Sequence, residues 1–168
     1  MRVLSSVPFD PTRHAVEAFD SAEPALDEWL KKHAPGSDAR GITRTFVWTE
    51  ADATEVIGYY SLMAHVLQRD ALPRAAGRGS PSEIPAVLLA RLALAGRLQG
   101  HGLGAALLAD AAERACLASR NVGAKFLVVD ALNDRAATFY QRHGFQRIPE
   151  TLRLLQRMSA IAKAMDDA

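Results

Sequence analysis

The sequence predicts an α/β fold of the mixed kind (α+β), one twisted sheet with helices on both faces. Three observations predict it. Two strand-like runs in the front half are joined by a short turn and read as an antiparallel hairpin. The back half runs strand, helix, strand, helix, strand behind that antiparallel front half, which argues for a mixed sheet covered by helices. The 168 residues, 49% apolar and 23% charged, suffice for one ordinary domain over 1–168 and leave no room for a second.

Each element follows from local chemistry. The chain opens on a short apolar run at Val3 and Leu4, broken by Pro8 and Pro11. Asp20 and Ser21 are suitable caps for a helix over Ala22 to His33, with Pro24 tolerated in its first turn and Leu26, Trp29 and Leu30 as its apolar stripe. Pro35-Gly36 is expected to stop it. Thr43 to Trp48 and Val56 to Met63 are rich in β-branched and aromatic residues and read as strands around the turn Glu50 to Thr54. Residues 68–82, with two prolines, two glycines and Arg69, Arg74 and Arg78, read as a mobile basic connection. Ala86 to Leu94 is an apolar run interrupted by Arg91, as in a central strand. After Gly100 to Gly104 comes a helix to Ser119, with Leu107, Leu108, Ala111, Ala115 and Ala118 on one face and Asp110, Glu113 and Arg114 turned away. Ala124 to Val129 is a buried strand. Asn133 or Asp134 caps a helix that ends at Gly144, residues 145–158 form one or two closing strands, and Ser159 to Ala164 a tail helix.

Composition excludes several function classes. Twenty basic against nineteen acidic side chains leave +1, so the chain is no bulk polycation. The balance is uneven, because residues 1–30 hold two basic and six acidic side chains and the remainder is basic. That segregation suits either two solvated faces or one-sided contact with an anionic partner. A lone cysteine, Cys116, cannot form an internal disulfide, and among alanines and leucines it reads as an inert buried thiol, not a nucleophile carrying a covalent intermediate. The five histidines lack metal-ligand spacing, so no metal is expected. No run approaches the roughly 18 apolar residues of a membrane span, and no signal-peptide core is present, so a cytoplasmic location is expected.

The segment LALAGRLQGHGLGAALLADAAERA carries the chemistry. A strand runs into a loop with Gly100, Gly102 and Gly104, and the loop opens into a helix. Glycines permit positive φ and close approach of a ligand, and the amides of residues 100–105 point outward at a helix N-terminus, where the dipole favours an anion. A ligand-free glycine turn is the competing reading. Among nucleotide sites, a Walker loop lacks its Gly-Lys-Ser or Gly-Lys-Thr, and GLGAAL lacks the third glycine of a dinucleotide fingerprint.

QGHGLG resembles the Q/R-x-x-G-x-G/A signature of GNAT N-acetyltransferases, with Gln99, Gly102 and Gly104 at the defined positions. ALNDRAATFYQRHGF is similar to that family's second half. The resemblance implies the GNAT acyl-CoA N-acyltransferase fold, with two central parallel strands that splay apart and acetyl-CoA in the cleft. Leu92, Ala93 and Leu94 would hold the pantetheine arm and stabilise the oxyanion. Arg97, Gln99, Gly100, His101, Gly102, Leu103, Gly104 and Ala105 would surround the pyrophosphate, Asn133 would contact the co-substrate, and Tyr140 would protonate the departing thiolate.

Farther forward, PALDEWLKKHA, GITRTFVW, VIGYYSLMAHVL and IPAVLLARLAL resemble the TacT-type toxins of toxin–antitoxin pairs, with departures at Ala95 and at Asp20-Ser21. That resemblance implies acetylation of the α-amino group of aminoacyl-tRNA, a block of translation, a small DNA-binding antitoxin as partner and a homodimer. It implies no membrane association and no direct DNA binding by this chain alone. Arg69, Arg74 and Arg78 would bind acceptor phosphates or form a solvated loop. Arg91 would be an ion-paired core residue or would border the acceptor. Taken alone, Tyr140 reads as an amphipathic tyrosine half in the core, with Phe139 packing inward beside it, and only the motif around it favours the proton donor. The α-amine of an aminoacyl ester is less basic than a lysine amine, so no dedicated base is expected. A GNAT enzyme for a small amine or protein N-terminus, a non-catalytic CoA-binding module and a plain nucleic-acid-binding protein are the alternative functions.

Overall fold

The computed structural model describes residues 4–168, so Val3 of the opening apolar run lies outside it. The elements are β1 (Val7–Pro8), α1 (Pro24–Glu28), a π-helical turn (Trp29–His33), α2 (Ala34–Ala39), β2 (Arg44–Thr49), β3 (Val56–Gln68), a 3₁₀ turn (Arg69–Ala71), α3 (Arg74–Gly77) and β4 (Glu83–Leu94). A second 3₁₀ turn (Gly96–Leu98) leads to α4 (Leu103–Ser119), β5 (Phe126–Asp130), α5 (Asp134–Arg142), β6 (Gln146–Arg147), β7 (Arg153–Arg157) and α6 (Met158–Asp166). The strands form one sheet in the order β1-β2-β3-β4-β5-β7-β6. β2 and β3 pair antiparallel, Phe46 facing Tyr60, which is the expected hairpin. β4 and β5 pair parallel from Ala86–Phe126 to Leu89–Val129, and β4 continues past that ladder to Leu94. The expected mixed sheet is therefore present.

The chain forms two compact units. The first holds the residues up to Met63 together with Ala90–Ala111, the second Ala64–Leu89 with Ala112–Ala168. In the first, Phe19, Leu30, Ala34, Val47, Val56, Tyr59, Ala93 and Ala95 make the core. In the second, Leu67, Leu72, Ala76, Ile84, Ala86, Phe126, Val128, Ile148 and Leu155 do so. Residues 126 and 128 on β5 and Leu155 on β7 share that core because strand side chains alternate with period two.

Four expectations are corrected. The first helix does not end before Pro35-Gly36. Pro35 has no N–H to donate, and the turn before it widens so that the Ala34 N–H reaches the Trp29 carbonyl, after which α2 restarts with Pro35 in its first turn. That helix also starts later than Ala22, at Pro24, and its N-cap residue is Glu23, which makes no side-chain cap bond. Asp20 and Ser21 therefore do not cap it. Residues 68–82 are ordered by packing and not a loose connection: Leu72 and Ala76 are buried, Arg69 N donates to the Ser82 carbonyl at 2.9 Å, and Arg69 Nη1 to the Ser80 carbonyl at 2.8 Å. On α4, Leu107, Leu108, Ala111 and Ala115 are buried as expected, but Ala118 is exposed and Asp110 turns inward, accepting from the Tyr60 hydroxyl at 2.7 Å and from Ser6.

Candidate acetyl-CoA and acceptor sites

The glycine segment is built entirely within the first unit. Gly100 and Gly102 have φ of +84° and +79°, the left-handed region that glycine enters without steric cost. A Cβ at either would meet nothing within 4 Å, so the backbone there borders open space. Gly104, by contrast, is already inside α4, whose first turn also holds Leu103 and Ala105. First-turn amides have no acceptor within their own helix. The segment therefore presents N–H groups of a helix start beside open space, which fits a pyrophosphate.

The other predicted residues on this segment have distinct placements. Leu92 is half-buried, and Ala93 and Leu94 are buried, all three beyond the end of the β4–β5 ladder. Arg97 is exposed and only loosely paired to Glu50 at 3.4 Å, so it can reorient towards an anion. His101 is exposed on the loop. Gln99 points elsewhere: its Nε2 donates to the Ser21 carbonyl at 2.9 Å and to the Leu94 carbonyl at 3.0 Å. Its side-chain amide thus holds the loop's shape.

Arg91 requires a second correction. The buried charge was expected to find an ionic partner, yet among the described residues its guanidinium makes no salt bridge and lies 4.1 Å over the Trp29 ring. Trp29 in turn stacks on Tyr59 at 6.2 Å, with ring planes 10° apart. Burial lowers the Arg91 pKa from its ordinary value. Burial likewise pushes the Tyr59 phenol up, and its hydroxyl donates to the Leu26 carbonyl at 2.7 Å.

Tyr140 and Asn133 lie on α5 in the second unit. Asn133 is the N-cap, its Oδ1 accepting from the Ala136 N–H at 2.8 Å, so its acceptor oxygen is committed to the helix. Tyr140 is 8% exposed, whereas Phe139 is only half-buried, the reverse of the expected packing. The Tyr140 ring sits edge-on against Phe139 at 5.3 Å and Phe145 at 5.6 Å. Burial raises its phenol far above the ordinary value, so the proton stays on the oxygen throughout the neutral range. Among the described residues that hydroxyl has no hydrogen-bond partner, and it is not a fully buried orphan, a status held among those residues only by Trp48 Nε1.

Also within the second unit, Arg69, Arg74 and Arg78 line one open cleft of about 370 Å³ with Asp70, Leu72, Gly77 and Gly79. The three arginines scattered through a predicted loop are thus gathered around one concavity. Gly77 permits this, because a Cβ there would come within 2.9 Å of the Arg69 side chain. Nearby, Lys125 Nζ donates to Ser80 Oγ and Arg157 Nη2 to the Ala75 carbonyl, fixing the segment from below.

Cys116 is buried, its Sγ 3.8 Å from the Met158 carbonyl. Among the described residues there is no group of three or more His, Cys, Asp or Glu that could hold a metal ion, and no helix is long and apolar enough to cross a membrane. Sequence reasoning missed Asp27 and Ser21 as holders of the glycine segment. The available signal was a carboxylate between Leu26 and Leu30 on the apolar stripe of a helix.

The chain is 37% identical over 134 residues, 80% of its own length and 80% of the relative's, to a protein of Mycobacterium tuberculosis named tRNA-acetylating toxin. It superposes on AtaT complexed with acetyl-methionyl-tRNAfMet with a TM-score of 0.87 and 32% identity, over 96% of this chain and 99% of that one. A Tyr-to-Phe mutant of AtaT, bound to the C-terminus of the antitoxin AtaR and to acetyl-CoA, gives a TM-score of 0.83 and 28% identity over 98% and 99% of the two chains. The model of the acetyltransferase (GNAT) domain matches residues 43–147, from before the hairpin to β6 and across the glycine segment and α5. This chain belongs to the GNAT acetyltransferase family.

Proposed function

We propose that this acetyltransferase moves the acetyl group of acetyl-CoA to the α-amino group of an aminoacyl-tRNA and so acts as a translation-blocking toxin, held in check by an antitoxin. The observation that carries the reading is the hydroxyl of the buried Tyr140 ring, protonated and without a partner among the described residues, in a chain that also has an open positive-φ glycine cradle. Tyr140 is the general acid. As the amine attacks the thioester carbonyl, the new C–N bond forms and the C–S bond breaks, and the thiolate takes the Tyr140 proton. The proton lost by the amine passes to solvent and returns the phenol to its neutral form. The cradle of Gly100 to Ala105 and Arg97 binds the pyrophosphate. Backbone groups of Leu92 to Leu94 hold the pantetheine arm and the developing oxyanion, with Asn133 contributing to the same co-substrate. Arg91, fixed over Trp29, borders the acceptor.

The decisive experiment incubates the protein with acetyl-CoA and a charged tRNA pool, followed by mass spectrometry of the aminoacyl ends. N-acetylated aminoacyl esters support the reading. Thiol release only with small amines or peptides assigns the chain to the alternative acceptor class.

Arg69, Arg74 and Arg78 supply the phosphate contacts for the RNA in this reading, and their shared cleft supports it. Neutralising all three is expected to raise the apparent KM for charged tRNA and to lower the slope of log KM against log salt by about two to three, roughly 0.7–0.9 per phosphate lost. Acetyl-CoA affinity should hold. An unchanged salt slope would place the RNA elsewhere. The protein is read as a cytoplasmic homodimer, and light scattering at micromolar concentration is expected to give twice the chain mass. A monomer that still acetylates tRNA would remove the dimer from the mechanism.

A further inference from the structure

Asp27 on α1 is 9% exposed and, among the described residues, has no cationic partner. A buried carboxylate in that position needs hydrogen-bond donors in place of water. Ser21 supplies them: its N–H lies 3.1 and 3.2 Å from the two carboxylate oxygens, and its hydroxyl donates to Oδ1 at 2.6 Å. The next residue, Ala22, is held at φ +70°, a conformation that is unfavourable for a non-glycine residue and persists only where the surroundings enforce it. Asp20 assists, its Oδ1 accepting from the Ala22 N–H at 2.9 Å.

The shape so enforced has a direct consequence for the glycine segment. The Ser21 carbonyl accepts from Gln99 Nε2, and the Asp20 carbonyl accepts from the Gly96 N–H at 2.7 Å. Both ends of the turn Gly96–Leu98, which leads into the cradle, are therefore anchored on Asp20 and Ser21. Gln99 Nε2, bonded to the Leu94 carbonyl, and the Leu98 N–H, bonded to the Ala95 carbonyl, tie the loop back to the end of its own strand.

We propose that Asp27 is a positioning residue for acetyl-CoA binding, acting through Ser21 and Gln99 to set the entry of the Gly100–Gly104 loop. The proposal rests on the reading of that loop as the pyrophosphate cradle. Asp27 touches no reacting atom. It fixes the carbonyl against which Gln99 orients the loop amides before the co-substrate arrives, and so reduces the ordering cost of binding.

The test is a double-mutant cycle on acetyl-CoA affinity, measured by calorimetry on the full chain, with thermal unfolding to establish that each variant is folded. Asp27→Asn removes the charge that orders both Ser21 donors, and Gln99→Ala removes the link to the Ser21 carbonyl. Each is expected to weaken acetyl-CoA binding about tenfold, the order of one charge-assisted hydrogen bond. The double variant should be no weaker than Gln99→Ala, because both changes break one chain of contacts. In steady state the loss should appear in the KM for acetyl-CoA, with kcat and the acceptor KM maintained, a split that general loosening of the fold would not produce. Losses that multiply in the double variant, or a folded Asp27→Asn protein with parent affinity, overturn the proposal. If Asp27→Asn does not fold, Ser21→Ala keeps the Ser21 N–H bonds to Asp27, removes the hydroxyl that donates to Asp27 and accepts from the Glu23 N–H, and runs the same cycle. Gly102→Val separates the two levels. Parent affinity in that variant overturns the cradle reading and the proposal together, whereas weakened affinity beside an uncoupled Asp27–Gln99 cycle overturns only the role of Asp27.

Discussion

Tyr140→Phe is expected to lower kcat by roughly two to four orders of magnitude, the range of general acid catalysis, or about 3–5 kcal/mol of transition-state stabilisation. The substitution removes one oxygen and keeps the ring. The contacts with Phe139 and Phe145 persist, and no hydrogen bond within the described residues is broken, so folding stability should change little. A phenol left without a partner in the folded protein contributes only when a thiolate forms beside it. The loss should therefore fall on kcat, with KM for acetyl-CoA and for the acceptor nearly constant. Burial also predicts a pH signature. Because the Tyr140 proton is held far above neutrality, the parent enzyme should show no alkaline fall in rate from this group across pH 6–9. In cells, Tyr140→Phe should abolish growth inhibition without lowering the protein level. Single-turnover rates on charged tRNA are the direct measurement, and a folded variant within about threefold of the parent would return Tyr140 to a packing role.

The second large effect is expected at the cradle. Gly102 sits at φ +79°, where a β-branched side chain is a steric outlier. Valine there must either carry strain of order 1–3 kcal/mol or drive the loop into another shape. A changed loop turns the amides away from the anion, and a retained one places methyl groups in the space that a Cβ now finds open. Acetyl-CoA affinity should fall at least tenfold, about 1.4 kcal/mol or more. The loop is exposed and outside both hydrophobic cores, so the fold should survive. Gly102→Ala has the same φ problem with less bulk and should lie between parent and valine. Calorimetry on the folded proteins measures all three, and equal affinities would remove the cradle from the reaction.

The local elements were legible where one strong signal dominated. The hairpin around Glu50 to Thr54, the strand through Leu89, the glycine loop and the helix capped by Asn133 all follow from periodicity and turn chemistry within a few residues. The errors lie where a local rule competes with packing. Pro35 is a helix stop in a peptide, but here a widened turn puts it at the start of a new helix, because Leu30 and Ala34 are both buried in the core. Residues 68–82 look like a loop by composition, yet Leu72 and Ala76 are enough to seat them on the second core. Helical spacing assigns Asp110 to solvent, and the Tyr60 and Ser6 hydroxyls, far from it in sequence, make its inward position favourable.

The sequence by itself determined the glycine motif and the positions that favour positive φ, because those depend on residue type and short spacing, and its resemblance to GNAT enzymes supplied Tyr140 as the candidate acid. Tertiary structure alone decided which polar groups are engaged. It placed Arg91 on an aromatic ring, committed the Asn133 oxygen to a helix cap, left the Tyr140 hydroxyl without a partner among the described residues and joined Asp27 to Gln99 through Ser21. These pairings connect residues as far apart as Ser21 and Gln99. No local rule reaches that distance, because a hydrogen bond requires its two atoms within about 3 Å, and only packing of the whole chain brings them there.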